Sequence, residues 1–103
     1  MDCPIAEALT IIGGKWSLLI IFQVGDKKRR FGELKRLIPS ISEKMLIQEL
    51  KKLTRLGMLK RKAFKEIPPR VEYSLTKEGQ KIIPIIDQLE KFGKDLLIKK
   101  ASR

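Results

Sequence analysis

The chain has 103 residues, with 23 Lys and Arg against 12 Asp and Glu, a formal net charge of +11, no histidine and one cysteine. That length holds one domain with one modest core, and a 43% hydrophobic content marks the chain as globular rather than disordered. Without histidine, hydrolytic triads, most zinc sites and most general bases lose their usual member, and one cysteine builds neither a zinc cluster nor an internal disulfide.

Met1-Asp2-Cys3-Pro4 lacks the basic start and long apolar stretch of a signal peptide. With a single cysteine, the chain fits a reducing cytoplasm. Pro4–Ile12 reads as a short helix: proline suits a first turn, and Ile5, Ala8, Leu9 and Ile12 share one side. Gly13-Gly14 breaks it, with no phosphate-cradling loop or dinucleotide fingerprint around it. Lys15–Val24 reads as a strongly apolar helix at the centre of the core, built on Trp16, Leu19, Ile20 and their neighbours. Its run Leu18–Phe22 also suits a buried strand, but the length of ten residues and the flanking Gly25 favour helix. The run is far too short to span a membrane.

Gly25–Arg30 is a turn ending in four consecutive cations, either a solvated loop or a phosphate clamp. Arg30-Phe31 reads as a very short strand. Phe31–Leu37 places Phe31, Leu34 and Leu37 on one helical face. Pro39 biases Ile38 away from helix and ends that segment. Ser42 suits the cap of a following helix, Glu43 suits the positive end of its dipole, and Gly57 is a natural stop. Two short helices around a tight break have the form of a helix-turn-helix, residues 31–56. At about 100° per residue, Leu46, Leu50 and Leu53 fall on one flank of the second helix, beside Met45 and Leu56. Lys44, Gln48, Lys51 and Arg55 fall on the other, with Ile47 at its margin. No carboxylate lies within that stripe; Glu43 and Glu49 lie off it. Cations neutralise phosphates and reach guanine edges, Gln bonds adenine in two places, and Ile touches a thymine methyl. The bland alternative is a lysine-rich solvated face.

After Gly57 the period changes. Met58–Phe64 alternates in part and Arg70–Leu75 alternates clearly, with Val71, Tyr73 and Leu75 on one side. Between them Lys65-Glu66-Ile67-Pro68-Pro69 carries two prolines that stop a ladder. This reads as a hairpin wing, residues 58–75, with Arg61, Lys62, Lys65 and Arg70 on or near it, lying along a DNA backbone or in the minor groove. Thr76 caps a terminal helix, residues 76–98. Gly79 weakens that helix and Pro84 bends or restarts it. Its apolar residues, among them Ile85, Ile86, Leu89, Phe92 and Leu96, make a face too wide for one small core, which points to packing on a partner. The tail Lys99–Arg103 is expected to fray.

Charge placement sharpens this reading. Residues 27–81 carry 17 bases against six acids, net +11, while residues 1–26 are net −2 and residues 82–103 net +2. The excess is focused on the helix-turn-helix and hairpin, which points to a polyanion. A membrane surface is the weaker option, because the basic helix keeps its apolar flank for a core. No acidic pair stands in a distinctive context, so the chain reads as a binding module rather than an enzyme. Two alternatives stay open: a nonspecific nucleoid or RNA-binding protein, disfavoured by few exposed aromatics for base stacking, and an interaction module for an acidic protein partner.

Taken together, Cys3-Pro4, Ile11-Ile12-Gly13-Gly14-Lys15-Trp16, Arg30-Phe31-Gly32-Glu33-Leu34, Ile41-Ser42-Glu43-Lys44-Met45-Leu46 and Pro68-Pro69-Arg70-Val71-Glu72-Tyr73-Ser74-Leu75-Thr76 resemble the HxlR-type family of prokaryotic winged helix-turn-helix transcriptional regulators, distant relatives of the MarR type. The match runs from Cys3 to about Phe92. The resemblance implies homodimers held by their first and last helices, which assigns Ile5 and Leu9 with Ile85, Ile86, Leu89, Phe92 and Leu96 to the junction. It also implies pseudo-palindromic operators, and in some members a sensor of oxidants, quinones or aldehydes at the Cys3 position. The helix start just behind Cys3 would favour a thiolate, while no cation lies within residues 1–12 to help it.

The expected fold is therefore one domain, residues 1–103, mainly α with a small β-hairpin wing (α+β), dimeric and without cofactor or metal. Double-stranded DNA is the expected partner. Ser42 caps the recognition helix, Lys44, Gln48 and Lys51 read base edges with Ile47 beside them, and Arg55, Arg29, Arg30 and the wing cations Arg61, Lys62, Lys65 and Arg70 grip phosphates, which positions rather than specifies.

Overall fold

The computed structural model describes residues 3–102, so Met1, Asp2 and Arg103 lie outside it. Its elements run α1 (Pro4–Ile12), α2 (Lys15–Val24), α3 (Phe31–Leu37), α4 (Glu43–Arg55), β1 (Leu59–Phe64), β2 (Arg70–Leu75), α5 (Lys77–Gln80) and α6 (Ile83–Ala101). The protein is mostly helical, with one two-stranded antiparallel hairpin among the described residues. No single described helix is long and apolar enough to cross a membrane.

The strand-or-helix ambiguity of α2 resolves to helix, and the buried positions show why. Ser17, Ile20, Ile21 and Val24 are buried, a spacing of three, four and seven that only a helix brings to one face. The centre of this helix is therefore rotated from the expected one: Leu19 and Phe22 are exposed and Trp16 is only partly buried. Around α2, Leu34 of α3, Ile41 of the connecting turn, and Leu46, Leu50 and Leu53 of α4 are all at most 1% exposed. Met58, Leu59, Ile82 and Ile86 close the core from the hairpin and α6 side.

The α3–α4 turn forms as its residues dictate. α3 ends at Ile38, ahead of Pro39, and the Ile38 side chain turns into the core. Gly57 ends α4 with φ +82°, a left-handed conformation that glycine adopts without strain. β1 begins at Leu59 rather than Met58, and pairs Leu59 with Leu75, Arg61 with Tyr73 and Phe64 with Arg70. The short strand expected at Arg30-Phe31 lies one residue earlier. Arg29 bridges Tyr73 through both backbone bonds, at 2.9 and 2.8 Å, while Arg30 is already the cap of α3 and Phe31 its first residue.

The terminal segment restarts at Pro84, one of the two outcomes expected of that proline. Residues 76–98 do not form one rod. Thr76 Oγ1 accepts from the Gly79 amide at 3.0 Å and caps the four-residue α5. A break at Lys81-Ile82 follows, and α6 starts with Pro84 in its first turn. Proline lacks the amide that a continuous helix would need and would strike the carbonyl four residues back, so the chain restarts there. Gly79 is buried, and a Cβ on it would collide with the Met58 carbonyl oxygen; the close approach of α5 to β1 excludes any side chain. Of the tail expected to fray, residues 99–101 continue α6 and Ser102 caps it, while Arg103 lies outside the described residues.

Candidate nucleic-acid interface

α4 forms because its first turn is capped and its leucines are paired with a core. Ser42 Oγ accepts from the Met45 amide at 3.1 Å, and Glu43 sits in the first turn. With Leu46, Leu50 and Leu53 sealed, the opposite flank is left outside: Lys44, Ile47, Gln48, Lys51 and Arg55 are all exposed. No ion pair among the described residues involves Lys44, Lys51 or Arg55.

Beside this flank a cleft of about 400 Å³ opens between α3, α4 and the hairpin. Phe31, Ile47, Leu50 and Tyr73 contribute apolar surface; Lys51, Arg55 and Arg61 contribute charge, and no carboxylate lines it. The isolated bridge from Arg29 to Tyr73 holds the start of α3 against the sheet and so fixes the wing relative to the helix-turn-helix. On the hairpin itself Arg61, Lys62 and Lys65 are exposed, as are Arg30, Lys27 and Lys28 at the cationic turn. Lys62 Nζ stands 4.9 Å from the centroid of the Phe64 ring.

Two of the expected phosphate grips are engaged elsewhere. Arg29 Nε donates to the Gln23 carbonyl at 2.8 Å and its guanidinium reaches Glu33 at 3.7 Å, tying the end of α2 to α3. Arg70 pairs with Glu66 at 3.2 Å and Glu72 at 3.7 Å, and stacks 4.0 Å over the Phe64 ring. The Arg70 guanidinium, held between two carboxylates on an aromatic face, has its charge matched internally, and the Arg29 guanidinium is matched by one carboxylate and a carbonyl.

A group that periodicity did not single out sits behind the recognition helix. Ser17 is fully buried; its hydroxyl donates to Glu49 Oε2 at 3.1 Å and accepts from Lys52 Nζ at 3.3 Å, while Lys52 and Glu49 pair at 3.6 Å. This clasp joins α2 to α4 and explains why Glu49 lies off the cationic stripe. No signal in the sequence singled Ser17 out, because the stripe of positions 17, 20, 21 and 24 is chosen by packing.

α1 buries no residue and leaves Ile5 and Leu9 exposed, and α6 leaves Ile85, Leu89, Phe92 and Leu96 exposed. Ile86 departs from the expected junction set: at 8% exposure it is already spent on the core of its own subunit. Cys3 is exposed and free at the cap of α1, its carbonyl accepting from the Glu7 amide at 3.0 Å.

Residues 11–101 match the model of the HxlR-like helix-turn-helix family. An uncharacterised HTH-type transcriptional regulator of Methanothermobacter thermautotrophicus is 44% identical over 92 residues, covering 89% of this chain and 70% of its own length. Among solved structures, a MarR-family transcriptional regulator from Porphyromonas gingivalis W83 superposes with a TM-score of 0.88 at 57% identity, covering 90% of this chain and 91% of that one. The redox regulator HypR in its oxidised form superposes with a TM-score of 0.86 at 39% identity, covering 90% and 96%.

Proposed function

The chain belongs to the HxlR-like helix-turn-helix family of DNA-binding transcriptional regulators, and on that premise we propose that it acts in the cytoplasm as a homodimer reading a pseudo-palindromic operator. In each subunit α4 enters the major groove. Lys44, Gln48 and Lys51 contact base edges with Ile47 against a thymine methyl, while Arg55, Arg30, Arg61, Lys62 and Lys65 grip phosphates. The observation that carries this is the exposed flank of α4, whose cations have no carboxylate partner among the described residues and whose apolar opposite is sealed. Two such helices related by a two-fold axis call for half-sites about 10 bp apart, or a multiple of that. The exposed apolar faces of α1 and α6, without Ile86, are the surfaces that dimerisation would cover.

Cys3 is proposed as an oxidant or electrophile sensor. Its exposure and its place at a helix start support that role, as does the likeness to a redox regulator. Mass spectrometry of Cys3 after mild oxidant, with duplex binding measured in parallel, checks it.

Selecting bound fragments from a random duplex pool tests the main reading. Enrichment of a dyad-symmetric sequence is expected, with affinity falling steeply as salt rises. Binding without any preferred sequence would instead fit a nonspecific basic protein. Absence of salt-sensitive duplex binding at low ionic strength would fit a module for an acidic partner.

A further inference from the structure

The hairpin tip has a construction that phosphate gripping does not explain. Ile67 is fully exposed, at 103% of its reference area, and Pro68 and Pro69 beside it are exposed as well. Three consecutive apolar residues therefore project at the end of the wing and pack on nothing. Prolines are ordinary in turns, but a fully exposed isoleucine is not one of the residues that a turn calls for. The tip is also braced. Arg70 closes onto Glu66 on one side of the tip and Glu72 on the strand, over the face of Phe64, and the Glu66 amide donates back to the Phe64 carbonyl at 3.0 Å. Two prolines stiffen the remainder. Exposed cations, Lys62 and Lys65, lie on the arm that leads into the wedge, with Arg61 further along the same strand in the cleft.

We propose that Ile67, backed by Pro68 and Pro69, is a wedge that enters the minor groove beside the half-site and partly unstacks one base step, so that this protein bends its DNA. The inference rests on duplex binding by α4 and the wing. A narrow apolar tip with exposed cations on its β1 arm suits a groove about 6 Å wide lined by phosphates. Apolar side chains, Ile and Pro among them, are the ones that open a base step from that side. Arg70 then has a role consistent with its matched charge: it holds the tip rigid enough to wedge. The step that opens with least cost is a pyrimidine–purine step, TA or CA/TG. Sequence preference should therefore extend to such a step outside the bases that α4 reads.

The experiment uses the full chain and the best duplex selected from a random pool, end-labelled for energy transfer and carrying 2-aminopurine at the flanking step. The wild-type protein is expected to bend the duplex by about 20–90° and to raise 2-aminopurine fluorescence. Ile67→Ala should lose most of both signals and bind about tenfold more weakly, with an unchanged salt slope because no phosphate contact is removed. Ile67→Lys should recover affinity for duplex in general but not the bend. Since Ile67 touches nothing in the fold, the thermal midpoint of both variants should equal that of wild type. A bound but straight duplex, or a bend equal in wild type and Ile67→Ala, overturns the wedge and leaves the operator reading standing. Failure to bind any duplex overturns both.

Discussion

Replacing Ser17 with Ala tests the clasp behind the recognition helix. The substitution removes one oxygen from a fully buried site, leaving Glu49 without a donor at 3.1 Å and Lys52 without an acceptor at 3.3 Å. A hydrogen bond to a charged partner is worth about 1.5–3 kcal/mol. Here the loss is partly offset: Glu49 and Lys52 keep each other at 3.6 Å, and their side chains retain 14% and 27% exposure, so water reaches them. About 1–2 kcal/mol is therefore expected, which for a domain of this size lowers the thermal midpoint by about 5–12 °C. The scan is run at fixed protomer concentration, because dimerisation would itself shift the midpoint. Loosening the α2–α4 tether should also reduce affinity for the selected duplex more than for random duplex. A double-mutant cycle with Glu49→Ala isolates the pair, with a coupling of at least about 0.5 kcal/mol expected. A midpoint lowered by less than about 2 °C, with no coupling to Glu49, would refute the reasoning.

Other expected outcomes follow from single contacts. Ser42→Ala removes the cap of α4 and should cost about 1 kcal/mol by chemical denaturation. Gln48→Ala should flatten base preference in a binding-site selection, whereas Lys62→Ala should weaken all duplexes alike and reduce the salt slope by about 1; identical behaviour of the two would contradict the assigned roles. Phe92→Glu places a charge on the exposed face of α6 and should yield monomers in sedimentation, with the fold kept by circular dichroism. Gly79→Ala drives a methyl into the Met58 carbonyl and should cost about 2 kcal/mol or more in thermal unfolding.

Cations that look alike in the sequence differ in how far their charge is matched in the fold. In the sequence Arg29, Arg70, Arg61 and Lys62 are equivalent members of one basic segment. In the fold the first two meet carboxylates or a carbonyl and the others do not. Pairing depends on which residues face one another across a turn or a ladder, so a linear count of bases overstates the charge available to a polyanion.

Local physics was legible from residues alone. The limits of α1 to α4 and of β2 follow from Pro4, Gly13-Gly14, Pro39, Ser42 and Gly57, because caps and breakers act over one or two turns. The cationic flank of α4 follows equally, because a single helix converts spacing into direction. Rotation and partnership were decided only by the tertiary structure. α2 is apolar nearly all round, so nothing in its own pattern tells which side is buried, and packing chose Ser17, Ile20, Ile21 and Val24. The split of residues 76–98 follows locally from Pro84, but the burial of Ile86 and the collision that reserves position 79 for glycine depend on how closely α5 and α6 approach the hairpin and α2. Spacing along the chain sets what a segment can present, while contact between segments distant in sequence sets what it has left to offer.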